Sequence, residues 1–177
     1  MPLIGGTVRD LIETALRDAD PDGPIRWQAI TALQERGDLE TFTEARRLCA
    51  AESTAERLLG ADILGRLRRF TDRAMPVLRY LAASETDPMV LYSVLIAFDH
   101  LGDRRSLPSV IDLAGSADPR VRYGAAYALP NVMGSPPDPT GLAALRTLTH
   151  DTDDDVADWA TLGIALATGT KIMDLGR

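Results

Sequence analysis

The sequence predicts an all-α protein, a right-handed α-solenoid (superhelix) of five helix pairs. Three observations carry that expectation. A block of apolar, basic and small residues recurs along the chain, a helix-capping residue stands at the same place before each copy, and the composition is that of packed helices, 45% hydrophobic but only 5% aromatic. Repeats take precedence over motifs, because each short unit can bury its apolar face only against its neighbours.

The repeat is clearest when Ile25-Arg26-Trp27-Gln28-Ala29-Ile30-Thr31-Ala32-Leu33 is set beside Val121-Arg122-Tyr123-Gly124-Ala125-Ala126-Tyr127-Ala128-Leu129, and further copies start at Glu56, Val90 and Val156. The five anchors (25, 56, 90, 121, 156) are spaced 31, 34, 31 and 35 residues, room for two short helices and two turns. Three residues before each anchor stand Asp22, Ser53, Asp87, Asp118 and Asp153, side chains that accept hydrogen bonds from the free N–H groups of a helix start. Pro88 and Pro119 follow at the first helical position, and Pro24 is close to its own start; a missing N–H costs nothing there. Gly37, Gly102, Gly134 and Gly169 lie twelve or thirteen residues past four anchors and suit the left-handed residue that ends a helix. The second copy lacks this glycine, which leaves its helix free to run on through Gly65-Arg66-Leu67-Arg68-Arg69.

The first helix of each pair is read from three- and four-residue apolar steps over Val8 to Arg17, Phe42 to Cys49, Ala74 to Leu81, Leu107 to Leu113 and Leu142 to Leu148. Thr7-x-x-Asp10 and Thr41-x-x-Glu44 fit capping boxes. Pro76 and Pro108 are expected to bend or shorten their helices. The units are thus 7–37, 40–69, 70–102, 105–134 and 141–168, with tails 1–6 and 169–177. The apolar residues Ile172, Met173 and Leu175 are expected to fold over the fifth pair as a lid, since terminal repeats need a covered face; the rival reading is an unfinished sixth repeat. A residual open edge gives a monomer or weak dimer.

Asp87-Pro88-Met89-Val90, Asp118-Pro119-Arg120-Val121-Arg122-x-x-Ala125-Ala126-x-Ala128-Leu129 and Asp155-Val156-Ala157-Asp158-Trp159-Ala160-Thr161 resemble the HEAT repeat in its short bacterial, PBS-lyase-like form, over residues 7 to 168. The resemblance implies a HEAT-type solenoid whose second helices line a concave groove. The functions it implies are broad: scaffolds, chaperone-like factors, bilin lyases and, in a HEAT-like branch, alkylpurine DNA glycosylases. The second copy departs from the pattern, with Glu56 in place of an apolar anchor.

Composition narrows the field. A net charge of −7 opposes nucleic-acid binding unless a local basic patch works against the global field. The second copy holds Arg46, Arg47, Arg57, Arg66, Arg68, Arg69 and Arg73, but Glu44, Glu52, Glu56, Asp62 and Asp72 interleave with them, so no phosphate-tracking stripe emerges. The single Cys49 suits a reducing compartment and reads as a small buried hydrophobe. With no basic leader at the N-terminus and no long uncharged run, the chain reads as soluble and cytoplasmic, without a membrane segment. Asp151, Asp153, Asp154, Asp155 and Asp158 lack the turn glycine of a calcium loop, and His100 and His150 fall on different helices, neither followed by Glu. No metal or cofactor is expected.

Counted from each anchor, offsets 0, 4, 7, 8 and 11 form the core stripe, for example Ile25/Ala29/Ala32/Leu33 and Val121/Ala125/Ala128/Leu129. Offsets 2, 3 and 6 point away from it. They hold five aromatic residues, Trp27, Tyr92, Tyr123, Tyr127 and Trp159, which helix spacing would set roughly 8–10 Å apart from copy to copy. Tyr92, Tyr123 and Tyr127 can either complete the core between helices or present a docking strip, and Trp159, beside the core stripe, is more simply read as packing. Arg26, Arg57 and Arg122 follow the caps by four positions and suggest Asp22–Arg26 and Asp118–Arg122 pairs within an Asp–Arg ladder that ties repeats together. Asp62, among Leu58, Tyr92 and Ile96, is the best catalytic candidate. The reading that results is a non-enzymatic module that binds a protein or peptide partner through Trp27, Leu58, Asp62, Tyr92, Ile96, Tyr123 and Tyr127. The alternative is a nucleic-acid or DNA-repair role resembling the glycosylase branch.

Overall fold

The computed structural model describes residues 6–169. Ten α-helices follow one another in five pairs, with no strand among the described residues: α1 (Val8–Arg17) and α2 (Pro24–Arg36), α3 (Leu39–Cys49) and α4 (Thr54–Leu64), α5 (Thr71–Ser84) and α6 (Pro88–Leu101), α7 (Leu107–Ala114) and α8 (Pro119–Val132), α9 (Pro139–Leu148) and α10 (Asp154–Thr168). Short 3₁₀ turns at Arg68–Phe70 and Arg104–Ser106 precede α5 and α7. The proposed C-terminal lid and the apolar Leu3-Ile4 lie outside the described residues.

Each helix packs on its pair partner and on its equivalents in the flanking pairs, giving two layers and one continuous core from Val8 to Ala160. The even-numbered layer is drawn together more tightly than the odd-numbered one, so the stack curves toward it and the even helices form the concave face. Small residues permit that approach. A Cβ on Gly65 would sit 2.6 Å from the Ala97 backbone, and one on Gly124 would sit 3.0 Å from the Leu95 side chain.

The aspartate caps hold at three starts: Asp87 accepts from the amides of Met89 and Val90, Asp118 from Arg120, and Asp153 from Val156. Ser53 flanks α4 without a side-chain cap bond. The expected cap at Asp22 is displaced to Gly23. The cause lies upstream, where the Asp18 carboxylate folds over the helix start and accepts from the Arg26 amide at 3.2 Å. It occupies the space a Cβ on residue 23 would need. The helix therefore begins one residue later, and the anchor of the first repeat is Arg26, not Ile25. Ile25 is 52% exposed while Arg26 is 4% exposed, the reverse of the sequence expectation.

Other expectations are corrected by local chemistry. Thr41 does not open a capping box; Asp38 caps α3, accepting from both the Thr41 amide and the Thr41 hydroxyl. Helix α4 stops at Leu64, and Gly65 serves close packing against α6, with an ordinary right-handed φ of −60°. Leu59, Ser93 and Gly124, at the outward offset 3, are buried between neighbouring even helices. The arginines pair across repeats and not with the caps of their own helices. Arg57 binds Glu85 at 2.6 Å and the Ala51 and Glu52 carbonyls; Arg122 binds Asp151 at 2.6 Å and the Ser116 and Ala117 carbonyls. These are the ladder rungs, each reaching a carboxylate two residues before the next repeat's cap.

A candidate binding pocket on the concave face

A cavity of about 320 Å³ opens between α2, α4, α6 and α8, and all seven residues singled out from the sequence line it: Trp27, Leu58, Asp62, Tyr92, Ile96, Tyr123 and Tyr127. Trp27 of α2 and offsets 2 and 6 of α4, α6 and α8 converge here on the inner layer, beside the gap between α2 and α4. Arg26, Arg66, Ser93 and His100 also line it, and the sequence reading did not place them there. Arg26 was hidden by the displaced register. His100 lies one turn beyond Ile96 on the same face of α6, a spacing that would have found it, whereas Arg66 stands in the turn just after α4, four residues past Asp62.

The centre of the pocket is an ion pair. Arg26 donates to the Asp62 carboxylate at 2.5 Å and to the Pro21 carbonyl at 3.0 Å, and the Ser93 hydroxyl donates to the other Asp62 oxygen. Arg26 and Asp62 are 4% and 9% exposed, so desolvation opposes the pair; the additional hydrogen bonds on both partners offset that cost. Two guanidinium groups approach the Trp27 ring, Arg26 at 5.3 Å and Arg66 at 4.7 Å from its centroid. Arg66 makes no ion pair among the described residues; its hydrogen bond is a long one, 3.5 Å, to the Asp62 carbonyl. Burial pulls the Arg66 guanidinium below its ordinary pKa.

The opposite wall is aromatic. Tyr92 and Tyr123 stand 6.4 Å apart at a tilt, and Trp159 meets Tyr123 and Tyr127 edge-on at 5.8 and 4.9 Å. Trp159 lies outside the cavity and buttresses the tyrosines, in line with its packing role, whereas the three tyrosines, half-buried, both pack together and face the cavity. Burial pushes the Tyr92 hydroxyl up, keeping it neutral. At the inner end His100 is held below its usual value by burial and by the Arg66 charge, and its Nδ1 is buried without a hydrogen-bond partner among the described residues.

Catalytic geometry is weak. Ser93 donates to one Asp62 oxygen and Arg26 to the other, so the carboxylate is engaged by the protein's own donors. Cys49, the last residue of α3, packed against Gly60 of α4, is pushed up to about 12, first by burial and then by the Asp62 charge, so the thiol is protonated and unreactive. No group of three or more His, Cys, Asp or Glu side chains converges as a metal site among the described residues. No helix among them is long and apolar enough to cross a membrane.

Residues 75–165, just over half of the chain, match the sequence model of HEAT repeats. The chain belongs to the HEAT-repeat family. Solved structures agree on the fold of this HEAT protein. It superposes on YibA of Escherichia coli with a TM-score of 0.67 at 18% identity, covering 99% of this chain and 69% of that one. It also superposes on an engineered protein with a TM-score of 0.56 at 18% identity, covering 97% and 86%. No curated protein sequence matches it significantly. The family match begins in α5, so it takes in the regular repeats of the C-terminal half and leaves the arginine-anchored first repeat outside.

Proposed function

We propose that this HEAT protein is a non-enzymatic interaction module that holds a protein or peptide segment in its concave pocket. The observation that carries the reading is the convergence of Trp27, Leu58, Asp62, Tyr92, Ile96, Tyr123 and Tyr127 on one half-open cavity, in which the carboxylate is occupied and aromatic surface remains available. Tyr and Trp in a partly desolvated hollow are the residues through which interfaces gain most of their energy. A cytoplasmic setting, without cofactor or metal and as a monomer or weak dimer, is part of the proposal.

The test compares partners captured from the native host by the wild type and by a Tyr92→Ala/Tyr123→Ala variant, with a photo-crosslinking residue placed at Tyr127 and, as a control, at the exposed Tyr80. Crosslinks specific to position 127 and lost in the double variant support the reading. Identical partner sets overturn it. The nucleic-acid alternative predicts DNA affinity at about 50 mM salt that falls steeply as salt rises. Repeat 2, the most basic, has Arg47 on Glu44 and Arg57 on Glu85, and the net charge of −7 further weighs against that outcome.

A further inference from the structure

The pocket contains one more cation than it pairs. Asp62 is spent on Arg26 and Ser93, which leaves Arg66 lying on Trp27 with a single long bond to a carbonyl. A guanidinium carries five N–H donors in a fork that matches a carboxylate, and most of this fork has no acceptor among the described residues. His100, on the same lining, adds a buried ring nitrogen without a partner. Leu58, Ile96 and the tyrosine wall supply the apolar surface beside them.

We propose that Arg66 and His100 form an anion subsite for a carboxylate borne on an aromatic or apolar group, such as the C-terminal or acidic residue of a bound segment. The subsite deepens the peptide-binding reading and rests on it for the ligand's origin, but its chemistry can be tested without any partner. The carboxylate takes the free fork of Arg66 while the attached ring or alkyl group packs on Tyr92 and Ile96. Asp22, exposed on the rim, is the carboxylate that opposes entry.

The experiment titrates the intact protein with benzoate, benzamide and benzamidine, three flat molecules of one size and different charge. It is followed by NMR on the Arg66 side-chain N–H and on the two imidazoles. His150, which is exposed, is the internal control for His100, whose ring also senses Arg66, Asp99, Arg68 and Asp62. The expected result is saturable binding of benzoate with a shift at Arg66 and a raised His100 midpoint. Benzamide should bind at least about tenfold more weakly, because it lacks the negative charge and the second acceptor oxygen that a bidentate bond to the fork requires. Arg66→Met should abolish benzoate binding and Asp22→Asn should tighten it; the second variant keeps the test decisive should the first not fold. Tighter binding of benzamidine overturns the proposal and points instead to a cation site at Asp62, and benzoate binding unchanged in Arg66→Met overturns it by placing the anion away from Arg66. Acetyl-Ala-Ala-Phe as free acid, the same peptide as amide, and acetyl-Glu-Phe-amide then separate a C-terminal from a side-chain carboxylate. Benzoate binding with neither acidic peptide bound overturns the peptide origin while keeping the subsite. Failure of benzoate, with partner capture still dependent on Tyr92 and Tyr123, overturns the subsite alone.

Discussion

The two halves of the solenoid hold their inner helices together by opposite means. From α6 through α8 to α10 the helices close on one another where Gly124 meets Leu95 and Gly163 meets Ala126, all buried, and the tyrosines and Trp159 stand half-buried beside that seam. Between α2 and α4 the helices stand apart, and the gap is spanned by long side chains: Arg26 to Asp62, with the Arg26 and Arg66 guanidinium groups against Trp27. Small residues give close-packed regularity. An ion pair across a gap leaves room beside it, and that room is the pocket. Regular packing goes with the valine anchors Val90, Val121 and Val156, and the cavity with the two repeats whose anchors are charged, Arg26 and Glu56.

The largest expected effect follows from that contrast. Arg26→Ala removes the one cation that compensates Asp62 and should cost about 3–5 kcal/mol, as breaking a buried pair does, measured by urea unfolding. An Arg26→Leu/Asp62→Leu double substitution should recover most of the loss, because replacing both partners with apolar groups removes the uncompensated charge. A small effect of Arg26→Ala would mean that the N-terminal half does not depend on this bridge.

Overpacking the tight layer comes next. Gly65→Ala drives a methyl into the Ala97 backbone and should cost about 1–3 kcal/mol. Gly124→Ala meets only the side chains of Leu95 and Tyr92, at 3.0–3.2 Å, and should cost less. Equal losses from the two would show that side chains in this layer yield no more readily than backbone does.

The ladder rungs are smaller still and depend on pH. Glu85 is held below its ordinary value of 4.5 by its hydrogen bonds with Arg57 and the Asp87 and Thr86 amides, against its own desolvation, and Asp151 is held below 3.8 chiefly by its hydrogen bond with Arg122. Groups depressed on folding stabilise the native state fully above the unfolded-chain value and lose that contribution as pH falls through the folded one. An Arg57→Gln/Arg122→Gln variant should therefore melt lower than the wild type at neutral pH, and the gap should narrow once the pH drops below those values. A constant gap down to the acid transition would refute the assignment.

How legible this was from sequence divides along the same line. In the C-terminal half the caps at Asp87, Asp118 and Asp153 could be read because each stands three residues before an apolar anchor that is buried. The concave residues followed, since offsets 2 and 6 repeat with the helix. In Asp18-Ala19-Asp20-Pro21-Asp22-Gly23-Pro24 several acids compete for one helix start. The outcome turns on Asp18 folding back over Gly23 from outside the helix, a contact across a turn that no periodicity records. The ladder shows the same limit: Arg122 has Asp118 four residues before it on its own helix and pairs instead with Asp151, because the next repeat's turn places that carboxylate in bidentate reach.

The displaced register gives the smallest and most discriminating prediction. On the sequence anchors Ile25 belongs to the core, and replacing it with Asp would put a charge into packed helices. In the structure Ile25 is 52% exposed at the first turn of α2, where a carboxylate also meets the positive end of the helix dipole. Ile25→Asp should then change stability by no more than about 0.5 kcal/mol, the range of ordinary surface substitutions. The equivalent residues of later repeats, Met89 and Arg120, likewise precede the buried valines Val90 and Val121. Val121→Asp is the matched control: it buries an unpaired charge at the true anchor and should unfold the protein or cost several kcal/mol. If Ile25→Asp were as damaging as Val121→Asp, the first repeat would start at Asp22 after all, Arg26 would turn outward, and the ion pair that opens the pocket would be lost.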